Sequence, residues 1–94
     1  MSEEWSEWLD FGRANIEAVP ESAGVCMMHA SMKVMYIGAS HNVRQTLLGC
    51  LSDPCTKNAK RFRYLLTPSY AQIREQMLRE YVEKHGGKLP ICME

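Results

Sequence analysis

With 94 residues, zero net charge and four cysteines, the chain allows one small domain and excludes several classes of protein. A chain of this length buries about 60–65% of the surface its unfolded form exposes, so one modest core is its limit. Its longest uncharged apolar run falls far below the roughly 18 residues of a membrane span, and its acidic N-terminus lacks the basic and apolar regions of a signal peptide. The expectation is therefore a cytoplasmic protein without membrane attachment, with Cys26, Cys50, Cys55 and Cys92 as reduced thiols rather than a disulfide framework.

The zero balance conceals an uneven distribution. Residues 1–22 hold six acids against Arg13, leaving −5, whereas residues 31–74 hold seven bases against Asp53, leaving +6. A basic middle can contact phosphates even on a neutral protein, and can equally be a solvated face.

In chain order, Ser2 predicts the cap of a first helix reaching about Asn15, with Trp5, Trp8, Leu9 and Ile16 as an apolar stripe at helical spacing. A helix this short gains stability mainly by docking, so the tryptophans read as packing anchors, or alternatively as a surface for a protein partner. Pro20 and Gly24 mark the following loop, which sets residues 1–23 as N-terminal helix and linker and 24–94 as the main domain. Residues 25–30 and 33–37, rich in Val, Ile, Met and Tyr, predict a hairpin broken at Ala30-Ser31-Met32, with Gly38 ending the second strand and leaving Tyr36 at a strand end.

Asn42 followed by Gln45 has the form of an N-cap with its reciprocal side chain, opening a helix over about 43–51 whose apolar face is Val43, Leu47, Leu48 and Leu51. Residues 61–66 alternate as a third strand, with Phe62, Tyr64 and Leu66 on one side and Arg61 and Arg63 on the other. Thr67-Pro68 opens the longest helix, Gly86-Gly87 closes it, and Tyr70, Ile73, Met77 and Tyr81 give it a buried side. This order implies an α+β fold: a small three-stranded antiparallel sheet flanked by helices, with an extra helix at the N-terminus.

Gly24-Val25-Cys26, then Tyr36-Ile37-Gly38, a helix directly afterwards, and a glutamate-bearing helix followed by Pro90 together resemble the GIY-YIG nuclease superfamily over residues 24–93. That resemblance implies phosphodiester cleavage in nucleic acid, DNA first, by one Mg²⁺ or Mn²⁺ ion on a glutamate, a tyrosine assisting the attacking water, and an arginine neutralising the phosphate. Tyr36 matches the tyrosine. Glu80 is the preferred metal ligand, because its distance to Pro90 suits the family's closing pattern and it borders the buried side of its helix; Glu75 is the alternative.

Three positions depart from the pattern. Cys26 stands where the family has tyrosine, Thr46 where it has arginine, and Met93 where it has a terminal asparagine. Losing one preorganised donor from a transition-state site costs about 10²–10³ in rate, so cleavage is expected to be impaired. Arg44 is the nearest replacement cation, although residues 44 and 46 point roughly 160–200° apart on a helix. Cys26 reads as a buried structural thiol before it reads as a nucleophile. Cys50 and Cys55 lack the paired spacing of a zinc knuckle.

Two readings follow. One is a metal-dependent nuclease using Tyr36, Arg44 and Glu80. The other is a catalytically inactive nucleic-acid-binding or protein-interaction module, using Lys57, Lys60, Arg61 and Arg63 for nucleic acid or the Trp5/Trp8 helix for a protein.

Overall fold

A computed structural model describes residues 5–31 and 33–93 of the chain. The predicted cap at Ser2 and the hairpin residue Met32 lie outside the described residues. Four strands and three α-helices follow in the order β1 (Leu9–Asp10), α1 (Arg13–Glu17), β2 (Gly24–Ala30), β3 (Lys33–Ser40), α2 (Val43–Cys50), β4 (Arg61–Leu66) and α3 (Tyr70–Lys84). Short 3-10 turns lie at Thr56–Asn58 and Ile91–Met93. The fold is α+β, as expected, but the antiparallel sheet has four strands in the order β1-β4-β2-β3 rather than three.

The fourth strand replaces most of the expected N-terminal helix. Trp5, Trp8 and Leu9 are spaced for a helical stripe, yet this segment runs along β4: the Ser6 amide donates to the Tyr64 carbonyl at 2.9 Å, and Leu9 pairs with Phe62. The exposed backbone of β4 offers these residues hydrogen bonds that a marginal isolated helix does not match. Helix remains only at Arg13–Glu17, entered from Gly12 without a side-chain cap. The Trp5/Trp8 helix expected as a partner surface is therefore absent among the described residues. Its tryptophans instead lie on Arg63, whose guanidinium carbon is 4.7 Å from the ring centre of each.

Register assigns the sheet's faces. Cys26 pairs with Gly38 and Tyr64, and Met28 with Tyr36 and Phe62, so these side chains share one face. Against it pack Ile16 and Val19 from the α1 region and Val43, Leu47 and Cys50 from α2, forming the core with Cys26, Met28 and Phe62. The opposite face carries Met27, Ile37 and Arg63 under α3. α3 contributes no fully buried residue, so its expected buried side is only half-buried.

Local signals place the helix ends. Asn42 Oδ1 accepts from the Gln45 amide at 3.2 Å and caps α2, while the Asn42 amide donates to Ser40 Oγ rather than to Gln45. α3 starts two residues later than Thr67-Pro68 suggests, because Thr67 Oγ1 instead accepts from the Ser69 amide within a turn. Its end is as expected: Gly86 and Gly87 have φ of 65° and 91°, and the Gly87 amide donates to the Val82 carbonyl, which reverses the chain.

The reversed tail returns to β3, where Met93 Sδ accepts from the Ile37 amide at 3.4 Å. A Cys55–Cys92 disulfide holds it there, correcting the expectation that all four thiols are reduced. Cys26 and Cys50 are free and buried. Closing a loop of 37 residues restricts the unfolded chain, and such a cross-link is worth about 3–4 kcal/mol. Cys55→Ser with Cys92→Ser should lower the unfolding free energy in urea by about that amount. A drop below about 0.5 kcal/mol would show that the tail adds no constraint.

Candidate functional site

Tyr36 lies within β3, not at its end, because the strand continues through Gly38 to Ser40. Gly38 serves a different purpose from the expected strand stop. A Cβ at position 38 would lie 2.5 Å from Cε2 of Tyr36, so the missing side chain is what lets the phenol ring lie across the strand.

The ring borders a recess of about 250 Å³ shared with Ala39, Tyr70, Ala71 and Arg74. Arg74 is fixed by its Nε, which donates to the Ile37 carbonyl at 3.2 Å on the outer side of β3. Its terminal nitrogens make no ion pair among the described residues. Burial is the main influence raising the Tyr36 phenol above its ordinary value, and nearby Cys50, Cys26 and Asp53 push the same way against the lowering effect of Arg74. At neutral pH the phenol is thus a hydrogen-bond donor beside a guanidinium, and not a base.

Glu80 lies elsewhere. It lines a cleft of about 440 Å³ between α3 and the second face of the sheet, which has Met27, Val34 and Ile37 as one wall and Ile73 and Met77 as the other. The polar groups beside Glu80 are Arg63, Lys84 and His85. Mg²⁺ and Mn²⁺ require a shell of hard oxygen ligands, and one carboxylate among cations and apolar side chains does not fit them. Among the described residues, no three His, Cys, Asp or Glu side chains gather as metal ligands. Cys55 is committed to its disulfide, which removes it from any zinc set.

Arg44 is in neither cavity. Its Nε donates to the Val19 carbonyl at 2.6 Å and its Nη1 lies 3.7 Å from Glu21, tying α2 to the segment before β2. Glu75 pairs with Arg79 at 3.3 Å on the exposed side of α3. The three departures from the motif also have local partners: Thr46 Oγ1 and Ser40 Oγ are 2.7 Å apart, Met93 bonds the Ile37 amide, and Cys26 is fully buried. The expected catalytic set of Tyr36, Arg44 and Glu80 is therefore distributed over three places.

Among the residues expected to bind nucleic acid, Lys57, Lys60 and Arg61 are exposed, with Arg61 3.7 Å from Asp10. Arg63 is half-buried between the indoles, and burial lowers its pKa. Arg74, which shares the recess with Tyr36, is marked in the sequence only as part of the basic middle. Its i,i+4 spacing from Tyr70 is the signal that could have found it. Compared with protein-family profiles, curated proteins and solved structures, the chain matches none of them.

The Cys26 thiol is pushed up to about 12, mainly by burial. It is neutral and unreactive at pH 7. Because its folded pKa lies above the unfolded value of 9.0, its stabilising contribution is complete below pH 9 and is lost as pH rises through the folded value. Unfolding free energy should therefore fall between about pH 9 and 12, and Cys26→Ala should make that fall shallower despite a lower stability at pH 7. An equally steep alkaline fall in the variant would assign it to other groups.

Proposed function

We propose that this protein is a GIY-YIG-like nucleic-acid-binding domain that holds a phosphate between Tyr36 and Arg74 without cleaving it. The observation that carries this reading is the shared recess, lined by both a neutral phenol and a guanidinium anchored through its Nε. Charge-assisted hydrogen bonds from such a pair suit a phosphate oxygen. The kinship rests on the Tyr36-Ile37-Gly38 tripeptide, the hairpin–helix–strand–helix order and the ring seated on Gly38.

Binding is preferred to hydrolysis because Glu80 and Arg44 are outside the recess. Lys57, Lys60 and Arg61 would add contacts that are independent of sequence. DNA is the first ligand to test. In anisotropy titrations with labelled single-stranded and branched DNA, Arg74→Ala should weaken binding and reduce the slope of log affinity against log salt by about one. Tyr36→Phe should weaken binding by about threefold to tenfold through loss of one hydrogen bond. Full affinity and slope in the Arg74→Ala protein would move the contact elsewhere. Mg²⁺-dependent cutting that disappears in Glu80→Ala would restore the nuclease reading.

A further inference from the structure

The cleft beside Glu80 contains a feature that the Tyr36–Arg74 recess does not use. Of its lining residues, Arg63 lies 4.7 Å from the ring centres of both Trp5, also in the lining, and Trp8, outside it, whose ring meets His29 edge-on at 4.1 Å. The guanidinium is thus packed against both indoles. Nη2 meets only the weak acceptor Met27 Sδ at 3.7 Å, and the buried Nε has no partner among the described residues. A guanidinium held on aromatic rings with a buried donor unanswered is suited to an oxyanion acceptor.

The remainder of the cleft indicates what that anion is attached to. Trp5 lines it, as do Tyr81 and His85, which stack on each other at 3.8 Å and 11°. These are surfaces for a planar ring. Lys84 adds a second cation, and Glu80 is a carboxylate able to accept from a ring N–H. The volume of about 440 Å³ falls within the range of small-ligand sites.

We infer that this cleft binds a nucleotide: a heteroaromatic ring against the aromatic side chains of Trp5, Tyr81 and His85, with its phosphate on Arg63. The source is either a free mononucleotide or the unpaired end of a strand. In the second case the inference extends the nucleic-acid reading to a second contact, on residues separate from the first.

Trp5 and Trp8 are the only two tryptophans in the chain, so intrinsic fluorescence reports on the site directly. Titration of the full chain with guanosine 5′-monophosphate should give saturable quenching, whereas guanosine and inorganic phosphate should each bind at least about tenfold more weakly. Arg63→Gln should weaken the nucleotide by about tenfold or more. Because Arg63 also holds the indoles, Met77→Phe provides the second variant, filling the cleft from a helix with no buried residue. It should abolish saturable quenching while keeping a cooperative thermal transition.

A 5′-phosphorylated tetranucleotide that binds more tightly than the monophosphate identifies a strand end as the source; equal or weaker binding identifies the free nucleotide. Absence of saturable quenching by either probe at millimolar concentration, or equal binding of guanosine and its monophosphate, overturns the inference. Arg74→Ala should leave monophosphate quenching intact. If that variant loses DNA binding while the wild-type chain never binds the monophosphate, the recess stands and the cleft falls.

Discussion

Strand β2 is hydrogen-bonded on both sides and carries apolar side chains on both faces: Cys26 and Met28 on one, Val25 and Met27 on the other. A sheet of this kind needs cover above and below, and a chain of 94 residues has limited material to provide it. Residues from the α1 region and α2 cover the centre of the first face, leaving Ile16, Met28, Leu47 and Phe62 without exposure while Tyr36 and Tyr64 stay half-buried. On the second face α3 lies across Ile37 and Met27 without burying any residue of its own, and the cleft is the space it leaves. The two layers of cover separate Arg44, which ties α2 to the Val19 carbonyl, from Glu80, which lines the cleft.

Features fixed by near neighbours were legible in the sequence. The hairpin, the Asn42 cap, the limits of β4 and the reversal at Gly86-Gly87 depend on spacing, capping chemistry or permitted φ within a few residues. Features decided by distant partners were not. Trp5, Trp8 and Leu9 satisfy a helical pattern, and only the free side of β4 shows why they run extended instead. Cys55 and Cys92 are 37 residues apart, and no spacing rule pairs them. Gly38 suggests a turn because it precedes a helix, whereas in the fold it provides the surface on which an aromatic ring rests.

The same distinction applies to the candidate sites. Tyr36 was visible through its tripeptide. Arg74 reaches its position only because α3 crosses β3 where the Ile37 carbonyl points outward, a tertiary coincidence that the basic character of the segment does not encode. Alternation puts Arg63 on the face opposite Phe62, as in the fold, but carries no sign that two indoles from the N-terminal segment pack on it. The helical wheel did separate Arg44 from residue 46, and in the fold these side chains have different partners: Val19 and Glu21 for one, Ser40 for the other.

The segment before α1 and the segment after α3 border the sheet on opposite sides. Residues 6–11 occupy the outer backbone groups of β4, and the tail, with Arg74, occupies those of Ile37 on β3. Outermost strands are where foreign chains add themselves to a sheet, and a hairpin rich in Val, Ile and Met would be a ready template for aggregation. Here residues 6–11 form a selvedge along β4, and the Met93 thioether with the Arg74 guanidinium covers β3 at Ile37. Resistance to intermolecular zipping is thereby assigned to segments outside the hairpin, whose composition is left free to serve the core.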